Sequence, residues 1–169
     1  MRGTRSGWSF DGVLLGALDD GQPLKIIYRI SCDRFWRIGM MNITLWLGCE
    51  ERTLRIGLAP TGEWVDYLGG SDLSRLAGCV DVDLAFSPIT NTLAIRRLNL
   101  AVGQSAEIRA AWVRFPSLAV EPLPQRYERL SEMRYRYESG SGYRAELEVD
   151  AFGLVVNYPS LWQRIAASR

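Results

Sequence analysis

Gly78–Leu100 reads GCVDVDLAFSPITNTLAIRRLNL, and the fold assignment turns on how this stretch is read. It opens as a strand: Val80, Val82, Leu84 and Phe86 share one parity, Cys79, Asp81, Asp83 and Ala85 the other. Ser87-Pro88 interrupts the alternation, because proline cannot donate to a ladder and pushes its predecessor towards extended backbone. Thr90, Asn91 and Thr92 follow, each able to bond nearby backbone. Residues 92–102 fit alternation and a helical face about equally, and are read as strand. Two carboxylates, an amide and the adjacent Arg96 and Arg97 thus lie on a segment otherwise apolar enough to be core.

Outward from this stretch the chain alternates and turns repeatedly. Leu24, Ile26, Tyr28 and Ile30 mark a strand with one apolar face. Phe35–Leu47 is the longest extended run, and from Met40 onward both of its faces are apolar, so something must cover the second one. Leu54, Ile56 and Leu58 lead through Pro60-Thr61-Gly62 to a return strand at Trp64–Leu68, and Ser71–Leu76 suits a single helical turn. Pro116, Pro122 and Pro124 suggest an extended connection with few ladder bonds. Arg126–Glu138 reads as one long strand, followed after Ser139–Gly142 by a second at 143–149; their Arg and Glu residues share parities that allow cross-strand pairing. About ten or eleven short strands with no long helix predict an all-β fold built on a curved antiparallel sheet or incompletely closed barrel.

Composition bounds the function. A chain of 169 residues is expected to form a single domain, 1–169. A net charge of +1 gives no electrostatic case for nucleic acid or an anionic membrane surface. Histidine is absent, which removes Ser-His-Asp and Cys-His catalysis and the commonest metal ligand. Cys32, Cys49 and Cys79 are widely spaced and form no zinc motif, so neither metal nor cofactor is expected. The sequence as given shows no export leader and no run long enough to span a membrane, which implies a cytoplasmic protein with free thiols.

The strings DVDL, TNTL, IRRL, QRY and YPSLW, in that order between about Tyr28 and Arg164, resemble the bacterial putative glycolipid-binding family. That resemblance implies an all-β half-barrel around a central apolar cavity, with at most short helical turns, similar to the lipoprotein carriers LolA and LolB and the lipid carrier LppX. It also implies a hydrophobic or glycolipid-like ligand as the partner.

Several residues are candidates for contact with such a ligand. Asp81 and Asp83, two apart on one strand face with Cβ atoms roughly 6–7 Å apart, could meet sugar hydroxyls together with Asn91, and Arg96 could meet an acidic headgroup. Met40, Trp46, Trp64, Tyr127 and Tyr135 could line the cavity, since Trp and Tyr join a flat apolar face to a polar tip. The expectation is a non-catalytic binding or carrier module, with no catalytic residue. The rivals are a hydrolase using the Asp81/Asp83 pair and a structural module with its cavity packed shut. An oligomer of identical chains is compatible with the sequence.

Overall fold

The computed structural model describes residues 1–4 and 6–167. The backbone divides into two compact units, one of residues 1–77 with 116–118, the other of residues 78–115 and those from 119 onward. Thirteen strands and one α-helix lie among the described residues. The chain is of the curled, mostly β half-barrel class that its sequence predicts.

The first unit is an antiparallel meander of six strands: β1 (Arg2–Gly3), β2 (Gly7–Ala17), β3 (Pro23–Asp33), β4 (Ile38–Leu47), β5 (Glu50–Leu58) and β6 (Trp64–Asp66). The core parity of β3 and β5 is the predicted one, with Ile26, Ile30 and Ile56 fully enclosed, and in β4 Met41, Ile43 and Leu45 are fully enclosed as well. The opposite parity of β4 is only half-buried: Met40 and Trp46 lie there with Asn42 and Thr44. Trp46 is covered locally, its indole N–H donating to Glu51 at 2.9 Å and Lys25 Nζ lying 4.8 Å from its ring. The long run also starts later than its composition suggests. Phe35–Arg37 belongs to a turn in which Trp36 takes a φ of 66° and the Asp33 carboxylate accepts the Phe35 and Arg37 amides. The single helical turn is present as a 3-10 turn, Ser74–Leu76.

The second unit holds the focal stretch. β7 (Asp81–Leu84) is followed by α1 (Ile89–Leu98), then β8 (Ser105–Val113), β9 (Val120–Ser131), β10 (Arg134–Ser139), β11 (Arg144–Val149), β12 (Val155–Tyr158) and β13 (Trp162–Gln163). The seven strands lie in the order β13-β12-β11-β10-β9-β8-β7.

Three local readings are corrected here. Residues 89–98 are helical, not extended. β7 and β8 pair in parallel, Asp81 beside Ala110 and Leu84 beside Val113, and a parallel neighbour needs a crossover that a tight turn cannot supply. α1 is that crossover. It ends on Asn99 in the left-handed conformation, with Arg96 and Arg97 in its last turn where the helix dipole favours cations. Next, Arg126–Glu138 is not one strand: the chain reverses at Glu132–Met133, placing Tyr127 opposite Tyr137. Finally, Pro122 and Pro124 lie inside the β9 ladder. They face Ala111 and Arg109 on β8, and the Pro124 carbonyl instead accepts the Gly140 amide from the other side. Their nitrogens therefore point away from β8, and no ladder bond is lost. The β10–β11 hairpin has the expected charged face, with Arg136 beside Glu146 and Glu138 beside Arg144.

Candidate functional site

The second unit carries a polar pocket at the junction of β7 and α1. β7 is short and mostly buried, with Asp81 enclosed and Asp83 half-buried. They meet different partners. Asp81 accepts two parallel hydrogen bonds from Arg97, at 2.8 Å from Nε and 2.5 Å from Nη2, and its side chain is 2% exposed. Asp83 makes no ion pair among the described residues. Its Oδ2 accepts from the Gln125 amide at 2.7 Å and the Tyr137 hydroxyl at 3.3 Å, and its Oδ1 accepts from the Thr90 hydroxyl at 3.3 Å. Burial pushes the Asp83 carboxyl above its ordinary range, against the hydrogen bonds from Thr90, Tyr137 and Gln125. The Leu84 backbone N–H donates to it as well, so these donors already occupy most of the roughly four acceptor directions of a carboxylate.

Around Asp83 stand aromatic hydroxyls. Tyr127 and Tyr137 face each other across β9 and β10 with ring centres 5.2 Å apart. Tyr143 and Tyr158 stack at 6.0 Å with planes 23° apart, and Tyr137 lies 6.5 Å from Tyr158. Asn91, on the first turn of α1, donates to the Tyr127 hydroxyl at 2.9 Å. Burial first, then the Asp83 charge, holds the Tyr127 and Tyr137 phenols well above the usual value; burial and neighbouring Tyr143 do the same for Tyr158. These phenols stay protonated and serve as donors. The pocket has a volume of about 180 Å³, with Asp83, Asn91 and Tyr137 on its wall and Trp112, Tyr143 and Trp162 around it.

The structure brings three of the sequence candidates together: Asp83, Asn91 and, beneath Asn91, Tyr127. Asp81 is adjacent on β7 but turned to Arg97 and does not line the pocket. Arg96 and Tyr135 line a separate recess of about 290 Å³, where the Arg129 guanidinium lies 5.7 Å from the Tyr135 ring. Met40, Trp46 and Trp64 belong to the first unit and are not on the pocket wall. Residues that sequence reading did not single out are Thr90, Gln125, Tyr137, Tyr143 and Tyr158. Tyr137 had a signal: it shares the parity of Tyr135 in YRYES. Gln125, directly after Pro124 and 4% exposed, had none.

Among the described residues no group of three or more His, Cys, Asp or Glu side chains is placed to hold a metal ion, and no helix is long and apolar enough to cross a membrane. The buried Cys32 thiol is pushed up to about 11 by burial, and burial also raises Cys79, so neither is poised as a nucleophile.

Comparison with known proteins bears on what this pocket serves. No curated protein matches the chain. Among solved structures, the crystal structure of a DUF1089 family protein from Pseudomonas aeruginosa, at 1.80 Å resolution, is similar to it. The two share 35% identity and a TM-score of 0.84, over 98% of this chain and 95% of that one. The family model described as "Putative glycolipid-binding" matches residues 1–164. A match over nearly the full length, joined to a solved relative with the same fold, makes this chain a member of the putative glycolipid-binding family.

Proposed function

We propose that the protein is a non-catalytic binding module that takes the polar head of a lipid- or glycolipid-like ligand into the pocket beside Asp83. One observation carries this reading: Asp83 is a half-buried carboxylate held, among the described residues, only by neutral donors, and it opens onto aromatic rings. Such a group costs stability, and carboxylates perturbed in this way cluster at functional sites. A sugar-like head suits it, because ring hydroxyls can donate to the carboxylate while the ring face lies on tyrosine. The volume agrees in scale. A cavity of about 150 Å³ accommodates benzene, so about 180 Å³ holds one ring-sized group and not an acyl chain. The tail would start at the rim, where Leu161 and Trp162 are 57% and 40% exposed. Each methylene covered there contributes about 0.8 kcal/mol. The family description supports the ligand class.

The paired-carboxylate hydrolase is less well supported. That chemistry needs both carboxyls flanking one bond, and Asp81 is committed to Arg97 outside the pocket.

Titration with octyl glucoside below its micelle concentration, followed by calorimetry, tests the proposal. The expected result is one site per chain, weakened about tenfold by Tyr158→Ala, since loss of an aromatic contact of about 1.4 kcal/mol is a factor of ten. Trp46→Glu should leave the affinity unchanged. Absence of saturable binding, or an equal effect of Trp46→Glu, would overturn the reading.

A further inference from the structure

A larger recess in the second unit has a different character. Its volume is about 1040 Å³, and its charged lining is Arg97, Arg109, Arg126, Arg144, Glu107 and Glu138. Guanidiniums outnumber carboxylates there four to two. The cross-strand bonds among them are single and long: Arg126 reaches Glu138 at 3.3 Å and Arg144 reaches the same Glu138 at 3.2 Å. Arg126 also reaches Glu128 at 3.3 Å, but none of these contacts has the two-pronged geometry that Arg97 makes with Asp81. The Arg144 side chain is 77% exposed, so its other nitrogens reach solvent.

This recess adjoins the Asp83 pocket. Ser139 lines both, and Gln125, on the wall of the larger recess, donates its amide to Asp83 in the smaller pocket. With Arg97 neutralised by Asp81 and Arg126 shared between two glutamates, a ligand seated beside Asp83 thus has chiefly the guanidiniums of Arg109 and exposed Arg144 to meet in this recess. We propose that the larger recess is an anion subsite, taking the phosphate or carboxylate group of a ligand whose uncharged polar part enters the tyrosine-lined pocket. The inference rests on the pocket reading above and narrows its ligand class to acidic heads. Guanidinium suits the task because its planar fork matches phosphate and carboxylate oxygens two at a time, and a bidentate guest competes well with monodentate Glu138. The recess has the volume to hold a whole headgroup, being at the upper end of the roughly 300–1,000 Å³ seen for ligand sites.

The test uses three probes at low ionic strength: inorganic phosphate, glycerol 3-phosphate and monomeric dihexanoyl phosphatidylglycerol, with binding followed by arginine side-chain NMR signals. All three should bind saturably and weaken as salt rises, because exposed charges are screened. Arg109→Gln combined with Arg144→Gln should weaken each at least tenfold. Arg144→Gln alone, at a largely exposed side chain, should weaken each about threefold in a fully folded protein. Arg29→Gln, at an exposed arginine of the first unit, should leave phosphate binding within twofold of the parent. Tighter binding of the lipid than of glycerol 3-phosphate identifies a lipid headgroup as the source, and equal binding identifies a free phosphate ester; either outcome supports the subsite. Lack of saturable phosphate binding, or binding indifferent to both arginine variants, overturns it. If phosphate fails while octyl glucoside binds, this inference falls alone; if octyl glucoside fails while phosphate binds, the pocket reading falls and the anion site stands.

Discussion

Arg97→Ala should lower the unfolding free energy by about 3–5 kcal/mol, the range for leaving one partner of a buried ion pair without the other. The carboxylate left behind is Asp81, 2% exposed and tied to Arg97 through both oxygens. Water cannot readily replace the guanidinium there. The comparison is Arg29→Ala, which breaks a pair with Asp11 whose side chains are 67% and 39% exposed. That loss should stay below about 1 kcal/mol. Urea denaturation of both variants, followed by far-UV circular dichroism, measures the difference. Equal costs would show that Asp81 is solvated and that β7 is not held to α1 through this pair.

Asp83→Asn should do two opposite things. It should abolish octyl glucoside binding, by at least tenfold, and it should make the protein more stable at neutral pH. The sign follows from the direction of the shift. Burial raises the folded-state pKa of Asp83 above the ordinary aspartate range, so the folded state holds the proton more tightly than the unfolded chain does. The parent therefore loses stability as pH rises from the unfolded value through the folded one, and keeps that deficit at higher pH. Below about pH 4 the group is neutral in both states and the deficit vanishes. Asparagine carries no charge, so its advantage in melting temperature should be present at pH 8 and fade towards pH 4. Thermal melts at the two pH values check this. A variant destabilised equally at both would mean that the donors from Thr90, Tyr137 and Gln125 offset the cost of burying the charge. Stability traded for binding is the pattern expected where a half-buried charge is kept for a ligand.

Much of the fold was legible because period-two alternation reports directly which face of a strand is buried. The core parity of β3 and β5 and the charged face of the β10–β11 hairpin follow from it. What alternation could not show was connectivity. The stretch TNTLAIRRL satisfies both periods, and only the parallel pairing of β7 with β8, a contact distant in sequence, requires it to be a crossover helix. The reversal at Glu132–Met133 was hidden for a related reason. Its one turn-favouring residue is Ser131, with no Gly, Pro, Asn or Asp, so its composition marks a turn only weakly. Since that reversal sets Tyr127 against Tyr137, missing it also concealed the tyrosine pocket. Asp83 and Asn91 were found because a carboxylate and an amide in an apolar frame need partners. The choice of Arg96 over Arg97 depended on strand geometry. On the helix it is Arg97 that turns back to Asp81, while Arg96 lines the recess beside Tyr135.

The most direct measurement is a crystal structure of the protein grown with an alkyl glucoside. The account predicts electron density for the sugar ring in the pocket between β7 and α1, with a ring hydroxyl within hydrogen-bond distance of the Asp83 carboxylate and the ring face on Tyr143 or Tyr158. Density for the sugar on the first unit, against Met40 and Trp46, with the Asp83 pocket filled only by water, would contradict it.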